Sequence, residues 1–323
     1  MAQAQLRACA QLAIVSTRTF IALGTASQAP TRHRAHNSYA LRWDDQLILF
    51  DPGEGTQRQC INAGVAIARA TAVCVTHFHG DHCLGLPGVI QRRALDNRSG
   101  SHEPVPLPVV YPGAGQVYFD RLRSATEFHD TSEIVPTPVM AEGDVLELRG
   151  GLRLTARALD HRTTTFGYRL DEPDAVRFDR AALERAGVQG PDVGRLQAEG
   201  RLETERGTVT LDEVSTVRRG QSMAFVMDTR MCDGARELAD GVDLLVCEST
   251  FLESEAELAD RYRHLTALQA GRLAAEAGVR RLALTHFSAR YPRSEVFATE
   301  AAAVHPDVVA LDDLDTVDVP TRS

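Results

Sequence analysis

The run Thr76-His77-Phe78-His79-Gly80-Asp81-His82 constrains this chain more than any other stretch. It follows a continuous apolar strand at 72–75 and precedes a helical stretch at 84–95, with Pro87 near its start. Four metal-competent side chains in six residues, in a loop at the end of a strand, are too polar to be core packing. Alternate residues of an extended loop point to one side, so His77 and His79 can grip one ion. Asp81 and His82 lie where the chain turns into the helix and face a neighbouring position. The spacing HxHxDH therefore suits two adjacent metals, and the fold has to bring more ligands to the same edge.

Three other apolar runs end on a candidate ligand: Leu159-Asp160-His161, Val226-Met227-Asp228-Thr229-Arg230, and Leu284-Thr285-His286-Phe287. Zinc accepts imidazole nitrogen and carboxylate oxygen, and a catalytic site keeps one position open. A carboxylate between two ions can bridge them, and Asp228 is the natural bridge.

The rest of the pattern is two series of the same kind. Strands are expected at 19–23, 39–43 and 46–50, then a helix at 55–69, the strand at 72–75, a strand at 106–110 and a helix at 115–126. Strands at 145–148, 152–159 and 164–170 open a second series. It continues with strands at 223–227, 244–247, 282–285 and 308–311 and helices at 266–277 and 295–304. Hairpins followed by alternating strands and helices, twice over, imply an α/β protein with two sheets packed together and helices outside. Residues 172–220 break the pattern with glycines, prolines and dense charge, and read as a protruding functional element with a short helix at 180–186.

All 35 basic residues are arginines, and 44 acids leave a net charge of −9. Bulk attraction to nucleic acid or anionic lipid is excluded, so a polyanionic substrate needs a local arginine patch or a metal site. No apolar run approaches the roughly 18 residues of a membrane span. The N-terminal 17 residues make a poor signal peptide and read as an extension, leaving 18–323 as the catalytic unit. Six cysteines without a CxxC pair suggest reduced thiols in a cytoplasmic protein.

The motifs HFHGDH, LDH, DTR and THF resemble the metallo-β-lactamase superfamily. Five further stretches narrow the resemblance to the ribonuclease Z family in its short bacterial form. They are Asp51-Pro52-Gly53-Glu54-Gly55-Thr56-Gln57, Gly85-Leu86-Pro87-Gly88, Cys247-Glu248-Ser249-Thr250-Phe251, His264-Leu265-Thr266, and His286-Phe287-Ser288-Ala289-Arg290-Tyr291. The resemblance implies a four-layer αβ/βα sandwich with a protruding arm and two zinc ions per subunit. It assigns His77, His79 and His161 to one zinc, Asp81, His82 and His286 to the other, and Asp228 to both.

The implied activity is removal of the 3′ trailer of precursor tRNA after the discriminator nucleotide, leaving a 3′-hydroxyl and a 5′-phosphate. A water shared by two cations becomes a nucleophile near neutral pH. Asp81 would orient and deprotonate it, and the pair Glu248–His264, supported by Thr266, would protonate the leaving 3′-oxygen. A homodimer is implied as well. The alternative is a small-molecule phosphodiesterase or other hydrolase of the same superfamily.

Two substrate contacts are expected to be local. The insertion holds Gly190-Pro191, similar to the family's Gly-Pro motif, but 171–207 carries six arginines and nine acids. The family's early Pro-x-Lys-x-Arg-Asn loop becomes Pro30-Thr31-Arg32-His33-Arg34-Ala35-His36-Asn37 here, two residues longer, with Arg32 in place of the lysine. Arg32 and Arg34 are the expected RNA contacts.

Overall fold

Period-two alternation gives the central strands of each sheet two buried faces. In the strand Arg18–Gly24, Phe20 and Ala22 face one hydrophobic cluster while Ile21 and Leu23 face another. In Ser222–Val226, Met223 and Phe225 face that first cluster and Ala224 and Val226 a third. The shared cluster is the seam between two sheets, and each outer cluster packs a sheet against helices. The architecture is the αβ/βα sandwich expected from the sequence. The computed structural model describes residues 18–98, 105–143 and 145–322. The expected extension, residues 1–17, lies outside the described residues.

In chain order the strands are β1 (Arg18–Gly24), β2 (Ser38–Trp43), β3 (Gln46–Phe50), β4 (Ala72–Cys74), β5 (Leu107–Pro112), β6 (Ile134–Val139), β7 (Val145–Glu147), β8 (Arg153–Leu159), β9 (Thr165–Asp171), β10 (Ala175–Phe178), β11 (Arg201–Thr204), β12 (Gly207–Thr210), β13 (Ser215–Arg218), β14 (Ser222–Val226), β15 (Leu244–Glu248), β16 (Arg281–Thr285), β17 (Val308–Ala310) and β18 (Thr316–Asp318). One seven-stranded sheet has the order β18-β1-β2-β3-β4-β5-β6, the other β17-β16-β15-β14-β9-β8-β7. Strands β4, β8, β14, β15 and β16 all end at one edge of the sandwich. The loops that follow them carry the candidate ligands, as ligand sites of α/β folds generally lie at carboxyl ends of strands. Among the described residues no helix is long and apolar enough to cross a membrane.

Several elements differ from expectation, among them the helices Asp233–Ala239 and Ala256–Tyr262 and strand β18, which were not expected. The helix expected at 55–69 is the helix Thr56–Asn62 followed by Gly64 at φ 63° and a separate turn, Ile67–Arg69. Strand β6 was not expected, because Pro136 and Pro138 remove two amide donors. It survives at the sheet edge, hydrogen-bonded to β5 alone, where missing donors cost little. The insertion is the largest difference. The expected helix is there (Arg180–Ala186), and with it a second one (Pro191–Glu199) and the paired strands β10–β13 and β11–β12. Ala182, Val188, Leu196, Leu202, Val209 and Val214 form its own small core. These six are spread over 33 positions of charged sequence, so no local periodicity announces them.

The insertion is moored at Glu172. Its carboxylate accepts both terminal nitrogens of Arg18 at 2.6 Å, Arg218 Nη2 at 3.0 Å and the Gln221 amide at 3.0 Å. Burial alone would raise the Glu172 pKa, but the Arg18 fork more than offsets this and brings it to about 2. A depressed carboxylate stabilises the fold above its unfolded value and loses that contribution as pH falls through the folded one. Glu172→Gln should therefore cost on the order of 2 kcal/mol at pH 7 in denaturant melts. The deficit should shrink between about pH 4.5 and pH 2, and an equal deficit at both ends would exclude the linkage.

Candidate metal centre and acid pair

Seven side chains meet at the sandwich edge. Around one position, His77 Nε2 is 2.9 Å from His79 Nδ1, and His161 Nε2 is 3.4 Å from the same atom. Asp228 Oδ2 lies 3.6 Å from both His77 Nε2 and His161 Nε2. Around the second, Asp228 Oδ1 is 3.4 Å from His82 Nε2 and 3.1 Å from His286 Nε2. Asp81 Oδ2 is 3.3 Å and 3.8 Å from those two nitrogens. Four ligands about 2.0–2.1 Å from a tetrahedral ion lie about 3.3 Å from one another, so these separations are edges of two coordination polyhedra sharing Asp228. Asp228 Oδ1 and His286 Nε2 are buried without a hydrogen-bond partner. A donor set of imidazoles and carboxylates suits zinc. Every expected ligand, His77, His79, Asp81, His82, His161, Asp228 and His286, is in this cluster.

The surroundings set which ring nitrogen faces the ion. His82 Nδ1 is 2.8 Å from Asp51 Oδ2. Thr76 Oγ1 donates to Asp51 Oδ2 at 2.7 Å and so accepts from His77 Nδ1 at 3.1 Å. On the other sheet Thr250 Oγ1 donates to Glu248 Oε2 at 2.7 Å and accepts from His286 Nδ1 at 2.8 Å. His161 Nδ1 is 3.3 Å from the Arg263 carbonyl. Each hydrogen bond leaves a bare Nε2 for a metal, the usual means of fixing a ligand tautomer. Two hydroxyl relays ending on buried carboxylates, Asp51 and Glu248, thus serve the two sheets alike.

The backbone is shaped for the same end. Asp51, Asp228, Arg263 and His286 have φ of 43°, 48°, 59° and 62°, where non-glycine residues cost about 1–3 kcal/mol each. Gln28, at φ 63°, donates its amide to Asp81 Oδ2 at 2.8 Å. A Cβ on Gly53 would sit 2.2 Å from the Asp81 carbonyl oxygen, and one on Gly85 1.9 Å from that of Gly53. These glycines let the loop after β3 press against the ligand turn. The motif quoted around Gly53 marked the stretch, but only the packing shows why glycine stands there.

Beside the ligands lies the acid pair. Buried Glu248 receives His264 Nδ1 at 3.0 Å and 3.2 Å, and the Thr229 amide at 2.6 Å. Burial disfavours a charged His264, but Glu248 outweighs it and raises the imidazole to about 9. Cations bound alongside would draw that value down. Thr266 was expected to support this pair and does not. It caps the helix Ala267–Glu276 and donates to Glu253 Oε2 at 2.6 Å, while Thr250 and Thr229 hold Glu248.

The expected RNA contacts divide. Arg32 is exposed, as are Gly190 and Pro191 at the start of the second insertion helix. Arg34 is placed differently from the expectation. Only 6% exposed, it lies over the Phe287 ring at 5.1 Å and donates to the Tyr291 carbonyl at 2.9 Å. The two extra residues of the loop precede Asn37, whose Nδ2 is 3.3 Å from His82 Nε2.

Residues 31–166 match the metallo-beta-lactamase superfamily. A protein named Ribonuclease Z from Thermobifida fusca is 54% identical over 312 residues, covering 95% of this chain and 96% of that one. One of the same name from Salinispora arenicola is 52% identical over 309 residues, covering 95% and 98%. Among solved structures, the short form of human tRNase Z superposes with a TM-score of 0.63 at 21% identity, covering 94% of this chain and 99% of that one, a likeness of fold. Each of these two matches spans nearly the whole of both chains. The chain thus belongs to the ribonuclease Z family of the metallo-β-lactamase superfamily.

Proposed function

We propose that the chain removes the 3′ trailer of precursor tRNA by hydrolysing the phosphodiester after the discriminator nucleotide, using two zinc ions per subunit. The carrying observation is a double ligand cluster with one shared carboxylate, set beside a buried carboxylate–imidazole pair. His77, His79 and His161 would hold one zinc, Asp81, His82 and His286 the other, and Asp228 both. Bound there, the two cations would lower the pKa of a water and offset the charge of the phosphoryl oxygens. Asp81 orients the attacking water and takes its proton. His264, kept cationic by Glu248, delivers a proton to the leaving 3′-oxygen, so a hydroxyl departs in place of an alkoxide. The trailer keeps the 5′-phosphate.

A small-molecule hydrolase needs neither the acid pair nor a folded arm. The insertion, with its own core and Gly190-Pro191 exposed, is suited to grip the tRNA body away from the cut. The reading includes a homodimer. Sedimentation velocity reads that directly. The free cysteines Cys60, Cys74, Cys83, Cys232 and Cys247 fit a reducing, cytoplasmic setting, open to a check by fractionation.

The test is a 3′-extended precursor tRNA, with and without chelator, and a chain lacking residues 174–207. The intact chain should cut once after the discriminator, and chelator should abolish the cut. The shortened chain should lose at least about tenfold in precursor tRNA cleavage, as expected when several strand contacts go, yet still hydrolyse a small phosphodiester. Unchanged cleavage without the arm would favour the small-molecule reading.

A further inference from the structure

Arg230, the last residue of the DTR motif, has no part in the site so far, and the structure shows what holds it. Its Nε donates to Asp160 Oδ2 at 2.6 Å. The other oxygen of the same carboxylate accepts Arg263 Nη1 at 3.0 Å. One carboxylate thus carries two guanidinium groups, and the trio keeps a positive charge. Asp160 is the residue before the ligand His161, and its amide accepts no freedom to wander: it donates to Thr229 Oγ1 at 3.0 Å. Arg263 precedes His264, and its Nη1 also donates to the His161 carbonyl at 2.7 Å. The pair is therefore tied to a metal ligand on one side and to the acid on the other.

We propose that Asp160 holds Arg230 and Arg263 as a phosphate-binding pair for the RNA strand on the tRNA side of the cut. The inference rests on the reading of the site given above. Both arginines are about two-fifths exposed, at 40% and 41%, so each has N–H groups free to meet a ligand while the shared carboxylate holds its orientation. Arg162 stands next to His161, and its guanidinium lies over the Tyr262 ring at 5.0 Å. Asp260, 71% exposed, reaches Arg230 at 3.3 Å and is the only other acid paired with these groups among the described residues. In a chain of net charge −9 whose arm is acidic, Arg230 and Arg263 are arginines bonded directly to the residues that flank the chemistry. A guanidinium fork fits phosphate oxygens, and ordering it in advance lowers the entropic cost of binding. The side follows from His264: the group it protonates leaves with the tRNA, so phosphates next to Arg263 are those upstream of the cut. Asp160 acts through the arginines and is a positioning residue.

The experiment measures precursor tRNA cleavage by the zinc-loaded full chain and by Arg230→Gln, Arg263→Gln and Asp160→Asn across a salt series, with metal content determined for each. Each arginine variant should raise KM about tenfold and flatten the salt dependence of log KM by about 0.7–0.9, the loss of one phosphate contact. kcat should stay within about threefold and Asp160→Asn should show the same KM pattern, as expected where binding and not chemistry is lost. A methylphosphonate at the contacted upstream phosphate should erase the difference between Arg230→Gln and the parent. Arg272→Gln, exposed on the helix Ala267–Glu276, should leave the salt slope unchanged. An unaltered slope in the arginine variants, or a fall in kcat together with metal, overturns the proposal while the functional reading stands. A parent chain that fails to cut precursor tRNA overturns both.

Discussion

Asp228→Ala is expected to lose precursor tRNA cleavage by on the order of 10³-fold or more, together with bound metal. Among the described residues no other side chain offers an oxygen to both positions: Oδ2 faces His77 and His161, and Oδ1 faces His82 and His286. Its removal strips one ligand from each site and leaves Asp81, at the second position, as the remaining carboxylate among the imidazoles. Those imidazoles repel cations and one another if protonated, so the variant should fall to one metal per chain or fewer. Elemental analysis alongside a cleavage assay reads both effects. A variant with full metal content and near-normal cleavage would remove Asp228 from the bridging position.

His264→Ala should behave differently, and the contrast separates a proton donor from a ligand. Loss of a general acid costs typically 10²–10⁴-fold, and metal content should stay at the parent level. The distinction matters because His264 also stands within ligand reach of Asp228 and His286. Its Nδ1 is already engaged by Glu248, whose charge raises the imidazole and favours its acid form. A substrate whose leaving 3′-oxygen is replaced by sulfur needs little protonation on departure. On it, the deficit of His264→Ala should shrink to within about tenfold, since the proton it supplies is no longer needed. An undiminished deficit, or loss of metal, would make His264 a ligand or a structural residue.

Much of this site was legible because its donors sit in short, local contexts. A histidine directly after an apolar strand is placed at the sheet edge by the strand itself, which is why His161, Asp228 and His286 could be named beside the His77–His82 turn. The order of hairpins followed by alternating strands and helices, twice over, likewise pointed to two packed sheets. Strand β6 was hidden by prolines that only an edge position tolerates, and the insertion's core by six apolar residues too far apart for a period. Thr250 and Thr76 were missed as supports, since a threonine becomes a relay only when a histidine and a carboxylate stand on either side of it.

The sequence by itself determined which residues can hold metal and which strand ends carry them, because those follow from residue type and from neighbours a few positions away. Tertiary structure alone decided which ring nitrogen each histidine presents, that Arg34 is buried, and that Arg230 and Arg263 share one carboxylate. His161 and Arg263 meet across 102 positions, and Arg34 and Tyr291 across 257. Contacts of that kind depend on how the two sheets close on each other, and no local pattern of side chains encodes the closure.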